Sequence, residues 1–264
     1  MAFLTYEYKM KIGFSEEVSK SYFTLKAVPT QDWRQKTIYY EIKMRPDTRY
    51  SEGMDSFGNI QLIGSVDHSH LEFDYIIKGM VETQDTAMSG VVNESRDGMY
   101  KYPFGKCVAG KSITSFAKEI SEEIGKLACD KEKCIRVMNR LSEVMVYEPG
   151  STDIETTAEK AFTDKKGVCQ DFAHIFITLL RYFGISARYV CGFIAGEGKS
   201  HAWVEAGCDG YYYALDPTHN REITDEYIKL GNGRDASDCT INKGVMWGGG
   251  TQTQTIDVIV DKYY

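Results

Sequence analysis

A chain of 264 residues is long enough for two domains, each with a core of its own. Apolar residues at 42%, charged residues at 26% and only five prolines exclude a disordered or low-complexity protein. A net charge of −7 and a pI near 5.4 exclude a nucleic-acid binder, which needs clustered Lys and Arg to displace counterions.

No apolar run is long enough to span a bilayer, so no membrane partner is expected. The start, Met1 to Lys9, lacks the charged head and continuous apolar run of a secretory signal. Seven cysteines, odd in number and without a CxxC pair, read as reduced thiols rather than as a disulfide framework or a zinc site. These features together lead to the expectation of a cytoplasmic protein.

Residues 1 to about 90 carry the period of two expected of half-buried strands. Leu4, Tyr6, Tyr8, Met10 and Ile12 alternate with polar neighbours, as do Leu71, Phe73, Tyr75 and Ile77. Thr37 to Met44 is a further strand, closed by Pro46, and Asp55 to Asn59 is a turn. Strands without an intervening helical pattern predict an N-terminal β-sandwich-like domain over 1–95.

The pattern changes near residue 95. Ile113, Phe116, Ala117, Ile120, Ile124 and Leu127 fall at helical spacing behind Ser112 as N-cap, and Glu122 and Lys126 form a favourable i,i+4 pair. Val137, Met138, Leu141, Val144 and Met145 mark a second amphipathic helix, ended before Pro149-Gly150. A third begins at Cys169 and buries Phe172, Ala173, Phe176, Leu179, Leu180 and Phe183, with Gly184 placed to terminate it. Strands over 187–193, 201–206 and 211–215 follow, the last two joined as a hairpin through Gly207-Cys208-Asp209-Gly210. The fold class is α+β, with a Cys-bearing helix packed on an antiparallel sheet in a second domain over 96–264.

Cys169 stands where the exposed Lys165-Lys166-Gly167 turn gives way to that buried helix. A helix N-terminus carries unsatisfied N–H groups and partial positive charge, which favour a thiolate. Downstream, His201 is a candidate general base and Asp216, just before Pro217, a candidate orienter of the imidazole. A hairpin pivoting on 207–210, with Cys208 and Asp209 opposed, sets positions 201 and 216 face to face across the ladder.

These segments resemble the transglutaminase-like superfamily of papain-type thiol enzymes, in its bacterial branch with an N-terminal β domain. The residues that carry the resemblance are Thr156-Thr157-Ala158 through Gly167-Val168-Cys169-Gln170-Asp171-Phe172-Ala173-His174, then Leu180 to Val190, His201-Ala202-Trp203 and Leu215-Asp216-Pro217-Thr218. It extends weakly from Gly233 to Val260, and over the amino-terminal strands it holds only as a pattern. The resemblance implies Cys169 as nucleophile, His201 as base and Asp216 as orienter, with Gln170 and Trp203 beside the site. It also implies a polar or aromatic side chain upstream of the nucleophile as second oxyanion donor beside the Cys169 N–H, and Tyr147 is the candidate. The activity expected is a thiol protease or amidase working through a thioester on a peptide or protein substrate. The alternatives are a glutamine γ-glutamyltransferase and a non-catalytic peptide-binding module. No cofactor and no metal are expected.

Other tempting residues read as structural. His174 lies about 500° around the helix from Cys169 and 7.5 Å along it, so it projects elsewhere. His68 and His70 share a strand face without an evident third ligand. His219 follows Asp216 too closely to stand in for His201, although it is placed for a substrate contact. Arg188 reads as a paired structural charge. Oligomeric state has no signature in the sequence.

Overall fold

The computed structural model describes residues 1–263. The chain opens with five strands, Ala2–Leu25 (β1), Gln35–Arg45 (β2), Tyr50–Met54 (β3), Ile60–Val66 (β4) and His70–Thr83 (β5), followed by Met88–Val91 (β6). Helices Glu94–Asp97 (α1), Lys111–Gly125 (α2) and Asp130–Ser142 (α3) precede the short strand Val146–Tyr147 (β7). Helix Ala158–Asp164 (α4), strand Lys166–Gly167 (β8) and helix Cys169–Tyr182 (α5) lead into Ala187–Ile194 (β9), Ser200–Cys208 (β10) and Tyr211–Asp216 (β11). Arg221–Glu222 (β12), Tyr227–Gly233 (β13), Asn242–Gly248 (β14) and Gln252–Tyr263 (β15) complete the chain.

Strand β1 organises the first sheet. Its first half pairs with β5 on one edge and β15 on the other, and its second half pairs with β4 and β14. Between the halves the pairing with β5 jumps from Gly13 to Val18, and this irregularity bends the sheet. Met10, Phe23, Leu25, Phe73 and Tyr75 therefore share one core, with the Phe23 and Phe73 rings 4.9 Å apart. The expected boundary at 95/96 needs correction on this point. Residues 242–263 return to the first sheet, because a 24-residue strand exposes two long edges that must both be paired. Strand β6, conversely, joins the second sheet through β11.

The second sheet runs β12-β11-β10-β9-β13. Ala202, Val204 and Ala206 of β10 and Ala187 and Tyr189 of β9 enter one cluster with Phe172, Phe176 and Leu180 of α5. Helix α5 is buried without a break from Asp171 to Arg181, as a central helix must be. It stops at Gly184 (φ 78°), where the Ile185 N–H reaches the Leu180 carbonyl and the Gly184 N–H reaches Arg181. Helix α2 starts at Lys111 rather than behind Ser112. Glu159 of α4 accepts the N–H groups of Gly110, Ser112 and Ile113, so a distant carboxylate takes the capping role.

The two sheets are joined by core and by polar contacts. Phe193, Ile228 and Leu230 of the second sheet enter the core of the first. Asn59, at the β3–β4 turn, exchanges hydrogen bonds with the Asn232 backbone at 2.7 and 2.8 Å. Glu205 is buried between Arg188 (2.6 Å) and Lys229 (2.8 Å), with Asp32 a further 3.7 Å from Lys229. Burial works against the Glu205 carboxylate, but the two cations overcome it and hold its pKa at about 2. Arg188 is thus the paired structural charge expected. Glu205→Gln leaves two buried cations short of a counter-charge and is expected to cost about 3–5 kcal/mol. A fall in the urea midpoint at unchanged slope is the measurement that checks it.

Candidate active site

The position of Cys169 is built by the turn into α5. Val168 is the N-cap residue and its N–H donates to Asp171 Oδ2 at 2.8 Å, while Thr152 Oγ1 donates to the same oxygen at 2.6 Å. Burial raises the Asp171 carboxyl above its ordinary range, against these hydrogen bonds. A Cβ on Gly167 would sit 2.7 Å from the Asp171 Cβ, so glycine is required there for the turn to close. Cys169 then stands as the first residue of α5, part-exposed, with the helix N-terminus behind it. Gln170 follows as the second helical residue, also part-buried.

Asp216 closes β11 and is fully buried. Its Oδ2 accepts from His201 Nε2 at 2.8 Å, from His219 Nδ1 at 2.7 Å and from the Tyr227 hydroxyl at 2.8 Å. Its Oδ1 takes the N–H groups of Thr218 (2.9 Å) and His219 (3.3 Å). Burial alone would raise the Asp216 carboxyl, but the hydrogen bonds from His201 and His219 outweigh it and hold the group well below the usual carboxylate range. The same Asp216 contact pushes Tyr227 up, with burial the larger cause.

His201 bridges the acid and the thiol. Its Nε2 donates to Asp216 Oδ2 at 2.8 Å, which leaves Nδ1 free of the acid, and Cys169 is the next group after Asp216 that raises its pKa. Burial opposes the imidazolium, yet the Asp216 and Cys169 hydrogen bonds win and carry the His201 pKa up to about 10. The register differs from the one expected. Val204 pairs with Leu215 and Cys208 with Tyr211, so the hairpin turns on Asp209 and Gly210, both at positive φ. This shifts the ladder by two residues. Because two is the side-chain period of a strand, His201 and Asp216 stay on the same face and meet diagonally instead of directly across.

The remaining residues fall as follows. Trp203 is buried, with its ring stacked at 22° and 6.4 Å from His201 and edge-on to Tyr227 at 5.4 Å, so it walls the imidazole. Tyr147 is half exposed on β7, paired in parallel with β8 at Gly167, two residues before the nucleophile. Its hydroxyl pKa is raised by burial and then by the charges of Cys169 and Glu197. His174 is buried away from the site, where Nε2 accepts the Ala236 N–H at 3.1 Å and burial pushes its pKa down to about 4. His70 bonds Ser21 and the His68 carbonyl in the first sheet. Sequence reasoning left out Tyr227 and Glu197 and gave His219 only a contact. Glu197 Oε2 lies 3.9 Å from His201 Nδ1 and Oε1 lies 3.5 Å from His219 Nε2.

The electrostatics predict a titration. In an NMR experiment His201 should titrate near pH 10, and Asp216→Asn should bring it down by more than about one unit. A folded-state pKa above the unfolded value of 6.5 gives stability that is whole below 6.5 and is lost as pH rises through about 10. Thermal stability should therefore decline across that window in the native protein, and the decline should flatten in Asp216→Asn.

Residues 115–217 match the model of the Transglutaminase-like superfamily, and residues 4–82 match that of the Bacterial transglutaminase-like N-terminal region. An uncharacterized protein of Mycobacterium leprae (strain TN) is 26% identical over 94% of this chain and 94% of its own. Another, from Mycobacterium tuberculosis (strain H37Rv), is 25% identical over 96% and 90%. The crystal structure of a candidate cysteine protease from Cytophaga hutchinsonii shares the fold, with a TM-score of 0.80 at 21% identity over 99% of this chain and 90% of that one. Among the described residues no helix is long and apolar enough to cross a membrane. With both family regions matched in order along one chain, and the fold shared from end to end, the protein belongs to the transglutaminase-like superfamily, in the bacterial branch that carries an N-terminal β region.

Proposed function

We propose that the protein is a cysteine-dependent hydrolase of peptide or side-chain amide bonds, acting on a peptide or protein substrate without a cofactor. The observation that carries this reading is His201 paired through Nε2 with a buried Asp216 carboxylate at 2.8 Å, with Cys169 as the next group that raises its pKa. Cys169 sulfur attacks the amide carbonyl carbon and a C–S bond forms. The oxyanion meets the Cys169 N–H and, as proposed second donor, the Tyr147 hydroxyl. His201 Nδ1 gives its proton to the amide nitrogen, the C–N bond breaks and the amine departs. Water then attacks the thioester, its proton passes to His201, and the Cys169 thiolate leaves with the C–S electrons. The cytoplasm is the proposed compartment, supported by seven free cysteines that include a buried pair with sulfurs 3.5 Å apart.

Site-resolved mass spectrometry of iodoacetamide labelling tests the thiol. Cys169 should label faster than the other part-exposed cysteines at pH 6–7, and His201→Ala should slow it by about tenfold or more. Equal labelling in both proteins removes the ion pair and the reading with it. Cys169→Ala should abolish turnover with the fold intact, and a fluorescent amine supplied with a glutamine peptide separates acyl transfer from hydrolysis.

A further inference from the structure

The thiol-enzyme reading leaves one charged group beside the reacting atoms without a task. Glu197 lies on the loop between β9 and β10, and two backbone hydrogen bonds fix the start of that loop. The Gly196 N–H donates to the Val260 carbonyl of β15 at 3.0 Å and the Glu197 N–H to the Ile194 carbonyl at 3.2 Å. The Glu197 side chain remains 40% exposed, so it faces the opening of the site and not the core. Its carboxylate stands 3.9 Å from His201 Nδ1, the ring nitrogen that Asp216 does not occupy. The other oxygen stands 3.5 Å from His219 Nε2, and His219 is itself anchored on Asp216 at 2.7 Å.

The proton that leaves His201 Nδ1 must reach the departing amine nitrogen, so that nitrogen comes within hydrogen-bond reach of Nδ1. A carboxylate 3.9 Å from the same atom is then a near neighbour of whatever surrounds the amine. We infer that Glu197, held by His219, is a specificity-determining residue that selects substrates with a cationic amine group on the leaving-group side of the thioester. The inference rests on the proposed thiol chemistry and adds the substrate class to it. Acylation and its reverse share one amine position, so the cation has two sources. It belongs to the leaving fragment, as a lysine-like group next to the scissile amide, or to an entering primary amine that docks as its ammonium. That amine loses one proton to solvent and a second to His201 as its nitrogen attacks the thioester, while the Cys169 thiolate leaves with the C–S electrons. The bonds are those of the proposed cycle. Glu197 supplies only charge attraction and gains or loses no covalent bond.

Thiol reagents of different charge read this field at Cys169 directly. The probes are 2-aminoethyl, 2-sulfonatoethyl and methyl methanethiosulfonate, which bear positive, negative and no charge. In each, the Cys169 thiolate attacks the sulfenyl sulfur, an S–S bond forms and methanesulfinate leaves, so the chemistry is constant and the neutral reagent normalises for thiol reactivity. The rate ratio of cationic to anionic reagent at Cys169, resolved by mass spectrometry, should fall by about tenfold in Glu197→Gln, stay near the native value in Glu197→Asp, and shrink in the native protein as salt rises. A ratio unchanged in Glu197→Gln and insensitive to salt overturns the inference while leaving the thiol reading intact. Neutral labelling of native Cys169 no faster than that of part-exposed Cys129 overturns the thiol reading instead. Attachment of fluorescent cadaverine to a glutamine peptide identifies the entering amine as the source. Faster cleavage before Lys than before Ala in otherwise identical peptides identifies the leaving fragment.

Discussion

The Asp216 carboxylate has no access to water and must be satisfied by the protein alone, and that constraint arranges the site around it. Two imidazoles, one phenol and two backbone N–H groups converge on its two oxygens. A group so supplied stays ionised, and an ionised Asp216 fixes which nitrogen of His201 carries hydrogen toward it. The opposite nitrogen, Nδ1, is thereby left on the side of Glu197, at the opening of the site. Tyr227 comes from β13, on the far side of β9 and β10 from β11, so the acid also ties both ends of the second sheet together.

Much of this was legible in the sequence. The helix that follows Gly167 announces Cys169 through a local signal, an apolar face beginning at a turn, and local signals survive folding. His201 and Asp216 were legible as strand-end residues around a hairpin. Their exact opposition was misread by two residues, since a Gly-Cys-Asp-Gly sequence permits several turns and only the Asp209–Gly210 turn has both residues at positive φ. The error was harmless because a two-residue slip preserves the face. A slip of one would have separated the pair.

The rest depends on contacts far apart in sequence. Tyr227 lies 11 residues beyond Asp216 with a turn and a strand between them, and nothing in its immediate neighbours marks it as a ligand of the acid. Glu197 reads as one charge in a Gly-rich loop until the Val260 carbonyl pins that loop against the histidines. The partners of β1 were equally hidden. Alternation identifies a strand and its buried face, but its edges are matched by register and geometry, here across more than 200 residues.

That long-range pairing also bears on when the site comes into being. The loop that carries Glu197 is held by β15, and β15 is held by the first residues of the chain. During synthesis Cys169, His201 and Asp216 all emerge before the segment 252–263. The ribosome must release that segment before β1 can close its open edge and lock the loop. A growing chain would thus carry Cys169, His201 and Asp216 while the mouth of the site is still slack, so any substrate discrimination by Glu197 should arrive later than thiol reactivity, once β15 has closed on β1.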